Sequence, residues 1–455
     1  MESSEADRWG QQAEAARHRW EEAGSARARC SVFSCVDPVP FGKDDELIGG
    51  GEEGKEQVLQ QPIIVSPGAP DSEIRARPQD FEPVRVGYLV DIDTGILLGD
   101  CLDAALLAIE DVLDETRSYR PIEIVVAFGR GLPRRAARHT IAAYESLCDE
   151  GCLVVMGPYT TDGALAILPA MEERGVPCVS SNGAKAWHSR YGFTLGNGGV
   201  SEEGTMMADW CRQQGHTRVG HLVETSPGGA EYANAFRLAA AQNRLEIAGE
   251  ILFETNGAGL ESGLRSLRDD VQPEVLVYSG YGYPIAMVNP VLEALDWMPP
   301  RIQSTAFLWY IGWPSMLKDF EGWVGIDQIA DDENTEGAEF NPNYASMVDR
   351  FERRFGRRTR HAMIVNSYDA MRAIVLGVLR ANLLTPSGVV AGLETITMMP
   401  TTAGGPRTYV SFGPFDRKGY KGDFLTLRRV ENGVPRHVPN VSRLLPSTID
   451  DASRS

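Results

Sequence analysis

From Val84 onward, short and continuously apolar runs alternate with longer stretches whose apolar residues recur at helical spacing. This alternation restricts the fold more than any other feature of the chain. Residues 84–90 and 122–128 have the length and character of buried strands, and between them Leu102, Ala105, Leu106, Ile109 and Leu113 fall on one helical face. A helix over 135–148, a strand over 153–156, a helix over 164–173 and a strand over 176–179 follow in the same order. Strands that are apolar throughout must be covered on both faces, and helical connections between them force parallel pairing. The expected class is therefore α/β with doubly wound parallel sheets.

The pattern stops at Gly196-Asn197-Gly198-Gly199 and starts again. Helices are expected over 202–213, 232–242, 260–269 and 285–295, with strands over 218–223, 250–254 and 275–278. Two α/β units in series, joined by a glycine-rich segment, make two lobes with a hinge. Residues 307–439 are less regular: 340–355 and 366–381 read as helices, and 413–419 as a hairpin turn between strands 408–412 and 423–430. Residues 1–80 differ, with a Gly/Glu stretch at 49–54 and Pro67-Gly68-Ala69-Pro70, and read as a polar, mostly disordered tail. Its Ala- and Glu-rich part, 5–29, is suited to a docking helix, and 441–455 is a second disordered tail.

Several function classes are excluded by charge and residue usage. Asp and Glu outnumber Lys and Arg 63 to 44, giving a formal net charge of -19, which opposes binding to nucleic acid or an anionic membrane. The one dense basic run, 353–360, reads as a solvated helix end. Seven cysteines, scattered and odd in number, do not make a disulfide framework, and no Cys/His spacing makes a zinc site. The first twenty residues carry acidic side chains and no apolar stretch, so the chain as written is expected in the cytoplasm. A mis-assigned start would instead make it periplasmic or extracellular. No bilayer-spanning run of about 18 apolar residues is expected.

Catalytic signatures are also missing. There is no G-x-S-x-G elbow, phosphate-binding P-loop or H-E-x-x-H helix. Phe128-Gly129-Arg130-Gly131-Leu132-Pro133-Arg134 approaches a dinucleotide loop, but Arg134 stands where helix and strand need a small residue to pack closely. The seven histidines do not cluster. No catalytic residue, metal or cofactor is expected.

In parallel α/β sheets ligands lie beyond the carboxyl ends of the strands. Those ends carry Asp91-Ile92-Asp93-Thr94-Gly95, the segment 157–163 with Tyr159, Thr160 and Thr161, and Ser180-Ser181-Asn182-Gly183-Ala184. From the second unit come 224–232, ending in Tyr232, and 279–283 with Tyr281. Hydroxyls and helix N-terminal N–H groups suit a carboxylate or carbonyl oxygen, and tyrosine rings wall a pocket while keeping a polar tip. The aromatic stretch 307–314, with Trp323 nearby, reads equally as pocket wall, partner surface or interlobe core.

The order and spacing of these segments resemble the type I periplasmic-binding-protein family, in its leucine/isoleucine/valine-binding and amide-binding branch. Thr94-Gly95 after the opening strand, the helix 104–110, Val154-Val155-Met156-Gly157-Pro158 with its Thr pair, 175–181 and Tyr368-Asp369-Ala370 carry it. The resemblance implies two lobes joined by a multi-crossover hinge, one from 84–197 plus 330–405, the other from 198–329 plus 406–440. It implies contacts to a small polar solute from Tyr159, Thr161, Ser181, Asn182 and Ala184, with Tyr232 at a family tyrosine and Tyr281 as a second-lobe wall. Thr94, Thr160 and Gly183 belong to the same loops.

The chain departs from amino-acid binders at Ala184, where they place a Thr, and near Ser304-Thr305-Ala306-Phe307, where they place an acid against the ligand's ammonium. A buried ammonium without a counter-charge is unfavourable. A neutral or singly anionic ligand, such as an amide or urea-like compound, is therefore expected ahead of a zwitterionic amino acid. The function implied is that of the substrate-binding component of an ABC-type importer, working with a membrane permease. The alternative is a cytoplasmic ligand sensor acting on a regulatory protein, and a homodimer is compatible with either.

Overall fold

The structure, a computed structural model, describes residues 63–65, 82–92, 97–132, 137–196, 198–254, 257–280, 285–304, 317–331, 340–359 and 362–438. The apolar runs form β1 (Ile63–Val65), β2 (Val84–Ile92), β3 (Ile122–Leu132), β4 (Val154–Met156), β5 (Cys178–Ser180) and β6 (Gly192–Thr194). They make one sheet in the order β1-β3-β2-β4-β5-β6, parallel except for β1. Its helices are α1 (Leu102–Glu115), α2 (Ala137–Asp149) and α3 (Thr161–Arg174). Alternate residues of β2 enter different cores: Val86, Tyr88 and Val90 join one cluster with α1, while Leu89 joins another with Tyr144, Leu147 and Ile167. Helices thus cover both faces, as continuous apolarity requires. Thr160 caps α3 with its hydroxyl, and Gly175 ends it at φ +68, a conformation that favours glycine.

The second sheet repeats the plan. After α4 (Val200–Gln213) come β7 (Arg218–Glu224), α5 (Pro227–Gln242), β8 (Glu246–Phe253), α6 (Leu260–Ser266), β9 (Val275–Ser279), α7 (Ile285–Ala294), β10 (Arg301–Gln303) and β11 (Trp323–Asp327). The chain then returns to the first sheet through α8 (Pro342–Phe355), α9 (Ala362–Arg380) and α10 (Pro386–Glu394). A small antiparallel sheet of β12 (Met399–Pro400), β13 (Tyr409–Val410) and β14 (Tyr420–Lys421) follows. Last, β15 (Thr426–Glu431) and β16 (Val434–His437) complete the second sheet, ordered β16-β15-β11-β10-β9-β7-β8.

Several expectations change. The polar segment 1–80 contributes an edge strand, β1, paired antiparallel to β3, while the docking helix at 5–29 lies outside the described residues. The 413–419 turn joins β13 to β14, with Val410 opposite Tyr420, whereas 426–431 pairs with β11. Lys418 bridges to Thr194 of the first sheet, so 409–421 sits beside the first sheet and the chain enters the second only at β15. The stretch 307–314 is outside the described residues, but Trp323 is core: it is fully buried and its Nε1 donates to Asn289 Oδ1 at 2.9 Å.

The basic run is not a merely solvated end. Arg350 pairs with Asp111, Arg354 with Glu110, and Arg357 with Asp100 and Asp103, tying α8 to α1 and the turn before it. One helix, Ala362–Arg380, is long and apolar enough to cross a membrane, contrary to expectation. Its apolar stretch is 83% buried, packed on α1 and α10, which makes it a core helix here.

Candidate functional site

The first-lobe side of the cleft is organised by Asp91, the fully buried penultimate residue of β2. Its carboxylate accepts from Tyr159 N (2.8 Å), Thr160 N (3.0 Å) and Thr160 Oγ1 (2.6 Å). The Thr160 hydroxyl also accepts from Gly163 N, so both of its roles are taken inside the protein. Tyr159 is likewise committed: its ring is buried and its hydroxyl bonds Tyr88 and Ser367, both at 3.0 Å. Neither Tyr159 nor Thr160 offers its side chain to the cleft, which corrects the sequence assignment. Thr161 is less committed: among the described residues its Oγ1 is buried with no hydrogen-bond partner, and its Cβ stands 3.5 Å from where a Cβ on Gly228 of the second lobe would lie.

The 180–184 segment is a scaffold. Asn182 Oδ1 accepts from Ala184 N at 2.9 Å, and its Nδ2 donates to Ser180 Oγ at 2.7 Å, so this side chain shapes the turn. Ser181 is buried, with its amide donating to Pro158 O. Gly183 packs against the hinge, where a Cβ would meet Val200 N at 3.3 Å, and Ala184 is buried beside it. Gln328 locks the crossing strands: its Nε2 donates to Gly196 O and its Oε1 accepts from Gly198 N.

Across the cleft, α5 begins at Pro227 with Ser226 as its cap. Gly228 N donates to Asp162 Oδ1 at 3.1 Å, and Glu231 accepts from Lys185 N (2.7 Å) and Ala186 N (3.1 Å). These three bonds clasp the lobes shut. Tyr232 is buried in the second turn of α5, and the residue facing the first lobe at the helix start is Gly228. Thr94 and Tyr281 lie outside the described residues.

Sequence reading put Glu224 in a strand-end loop without giving it a role, and missed Gln303. Glu224 ends β7 and Gln303 ends β10, and both are buried at the carboxyl edge of the second sheet. Among the described residues, Gln303 has no hydrogen-bond partner at either Oε1 or Nε2. Their signal was present: a polar residue closing an apolar strand, at the end where ligands bind.

A polar row crosses the second sheet. Ser279 Oγ is 2.9 Å from His221 Nε2, and His221 Nδ1 is 2.9 Å from Glu250, which also takes Arg237. The hydrogen bond from His221 holds Glu250 down to about 2, and burial lowers the His221 pKa. Glu250 is thus ionised and can only accept, which leaves Nδ1 as donor and Nε2 as acceptor from Ser279. The row resembles a hydrolytic triad, yet Ser279 and His221 are fully buried under α5, where Phe236 packs on the imidazole. It acts as a core network.

Burial raises the Asp91 pKa to about 6, against the opposing hydrogen bonds from Thr160 and Tyr159. Between its ordinary value, 3.8, and 6, the folded chain holds a proton that the unfolded chain has released. This contribution to stability is fully present below about pH 4 and lost as pH rises through 6. The stability difference between the parent and an Asp91→Asn variant is therefore expected to fall by roughly 3 kcal/mol from pH 4 to pH 7. Urea unfolding at each pH measures it, and a flat difference would show that Asp91 titrates normally.

Two sheets closing over a row of strand ends, with a hydroxyl buried between them, is the geometry of a solute receptor. The family model described as periplasmic binding protein matches residues 83–420. The chain belongs to this family. Solved structures of this periplasmic-binding-protein fold agree with it over their whole length. A possible leucine/isoleucine/valine-binding protein from Rhodopirellula baltica is 14% identical, with a TM-score of 0.67, covering 82% of this chain and 100% of its own. A type 1 periplasmic binding protein from Bordetella pertussis is 16% identical, with a TM-score of 0.66 and coverages of 79% and 100%. An ABC transporter substrate-binding protein from Desulfitobacterium hafniense, in complex with Leu, is 15% identical, with a TM-score of 0.63 and coverages of 78% and 100%. Identities this low establish the fold of this periplasmic binding protein and not its ligand. No curated protein sequence matches it. Among the described residues, no group of His, Cys, Asp or Glu could hold a metal ion.

Proposed function

We propose that this periplasmic binding protein is the substrate-binding component of an ABC-type importer. It closes on a solute of amide, urea-like or amino-acid size and delivers it to a membrane permease without chemical change. The observation that carries the reading is Thr161: its hydroxyl is buried without a partner among the described residues, and its Cβ and Cγ2 face a helix start, at Gly228, that carries no side chain. Folded proteins rarely leave such a group unpaired unless something binds there.

Thr161→Val keeps the shape and removes only the hydroxyl. Folding stability is expected to stay within about 0.5 kcal/mol of the parent, since no internal bond is lost. Affinity for the cognate solute is expected to fall about 10-fold, the worth of one hydrogen bond. Isothermal titration against a panel of amino acids, amides, amines and urea reads the loss, and unchanged affinity would remove Thr161 from the site. Cell fractionation tests the importer role. A protein found strictly in the cytosol would overturn it in favour of a ligand sensor that controls a regulatory partner.

A further inference from the structure

The second sheet has one long open edge. It ends at β8, eight residues with which no described strand pairs on the outer side. A row of unpaired backbone N–H and C=O groups is a template for another strand, and proteins commonly protect it with unmatched charge. Here both acidic side chains of β8 are matched within the chain, Glu246 by Arg218 and Glu250 by Arg237. Apolar side chains flank the second pair. Glu250 reaches Arg237 on α5, and Leu252, two residues along the same strand, points to the same face. Leu252 is 63% exposed, and Leu238, next to Arg237 on α5, is 65% exposed. Leucines exposed singly are ordinary, but two beside an open strand edge make a patch suited to a partner.

Charge selects that partner. The chain carries a formal net charge of -19, so two copies repel at long range. The β8 edge is locally balanced, because Arg218, Arg237 and Arg244 offset Glu246, Glu250 and Glu254. Arg244, just before β8, and Glu254, just after it, are exposed, and neither has an ion-pair partner among the described residues. Each stands five positions from Gly249. Two β8 strands placed antiparallel about a two-fold axis at Gly249 therefore bring Arg244 of each copy to Glu254 of the other. Gly249 puts no side chain at the crossing point, and the one irregularity in the pairing of β8 with β7 falls beside it.

We propose that β8 is a self-complementary interface through which a second copy of this chain joins the two second sheets edge to edge. Strand pairing supplies the register, Leu238 and Leu252 are covered, and two Arg244–Glu254 ion pairs close the ends. The contact belongs to the second lobe and does not depend on what the cleft binds.

The test is sedimentation of the full chain over a range of concentrations. A monomer–dimer equilibrium is expected, with a dissociation constant of about 1–100 µM, as a small interface gives. Leu252→Lys, a charge on the edge, is expected to weaken the dimer about 10-fold or more. Arg244→Glu or Glu254→Arg alone sets like charges together at both ends and is expected to weaken it about 10-fold. The double exchange, Arg244→Glu with Glu254→Arg, restores opposite charges in reversed order and is expected to recover the parent affinity. All of these positions are exposed, and circular dichroism checks that each variant folds. A monomer at every concentration up to about 1 mM would overturn the interface. So would a dimer indifferent to Leu252→Lys, or a double exchange no tighter than the single ones.

Discussion

Replacing Asp369 with alanine is expected to lower folding stability by about 3–5 kcal/mol, more than any other single truncation proposed here. Asp369 lies on the core helix α9 and is fully buried. Its carboxylate accepts from Thr402 N and Thr402 Oγ1 at 3.0 Å, from Tyr420 OH at 3.1 Å and from Ala403 N at 3.2 Å. Those donors belong to β14 and the segment after β12, and alanine would strand them all in the interior. Nearby, Asn366 Nδ2 bonds both Tyr420 OH and Gly196 O, so the same knot reaches the hinge. Urea unfolding gives the number, and a loss below about 1 kcal/mol would mean that water replaces the carboxylate. Burial raises the Asp369 pKa to about 6. The loss is accordingly expected to be greater at pH 4 than at pH 7, since the wild-type contribution is full below pH 4 and declines through 6.

That knot marks where the sequence could be read and where it could not. The long runs of β2, β3 and β7, and helices with an apolar stripe such as α1, were legible because each announces its own burial. The strand Arg301–Gln303 was not. Two of its three residues are polar, and Arg301 is buried only because Asn289, Pro299 O and Glu321 O satisfy its guanidinium from elsewhere in the fold. The hairpin was misplaced for a similar reason: 426–431 is as strand-like as 409–410, and its partner β11 is far away in sequence. Site residues fared by the same rule. Position relative to strand ends pointed to the 157–163 loop, but which of its hydroxyls is spent inside the protein depends on Asp91, and nothing local to Thr160 or Thr161 reveals that choice.

The clasp between the lobes sets the second large effect. A double Asp162→Ala, Glu231→Ala variant loses the three charge-assisted bonds that join α5 to the first lobe. Such bonds contribute about 1.5–3 kcal/mol each when well sheltered, and less here because the Glu231 pair is exposed, so about 2–3 kcal/mol of closing free energy is expected to disappear. The ligand must then supply that energy itself, and apparent affinity is expected to fall about 30- to 150-fold while each lobe keeps its fold. Small-angle scattering without ligand is expected to show a larger radius of gyration for the variant, reverting at saturating ligand. Equal radii with weakened binding would mean that Asp162 and Glu231 touch the ligand rather than hold the lobes.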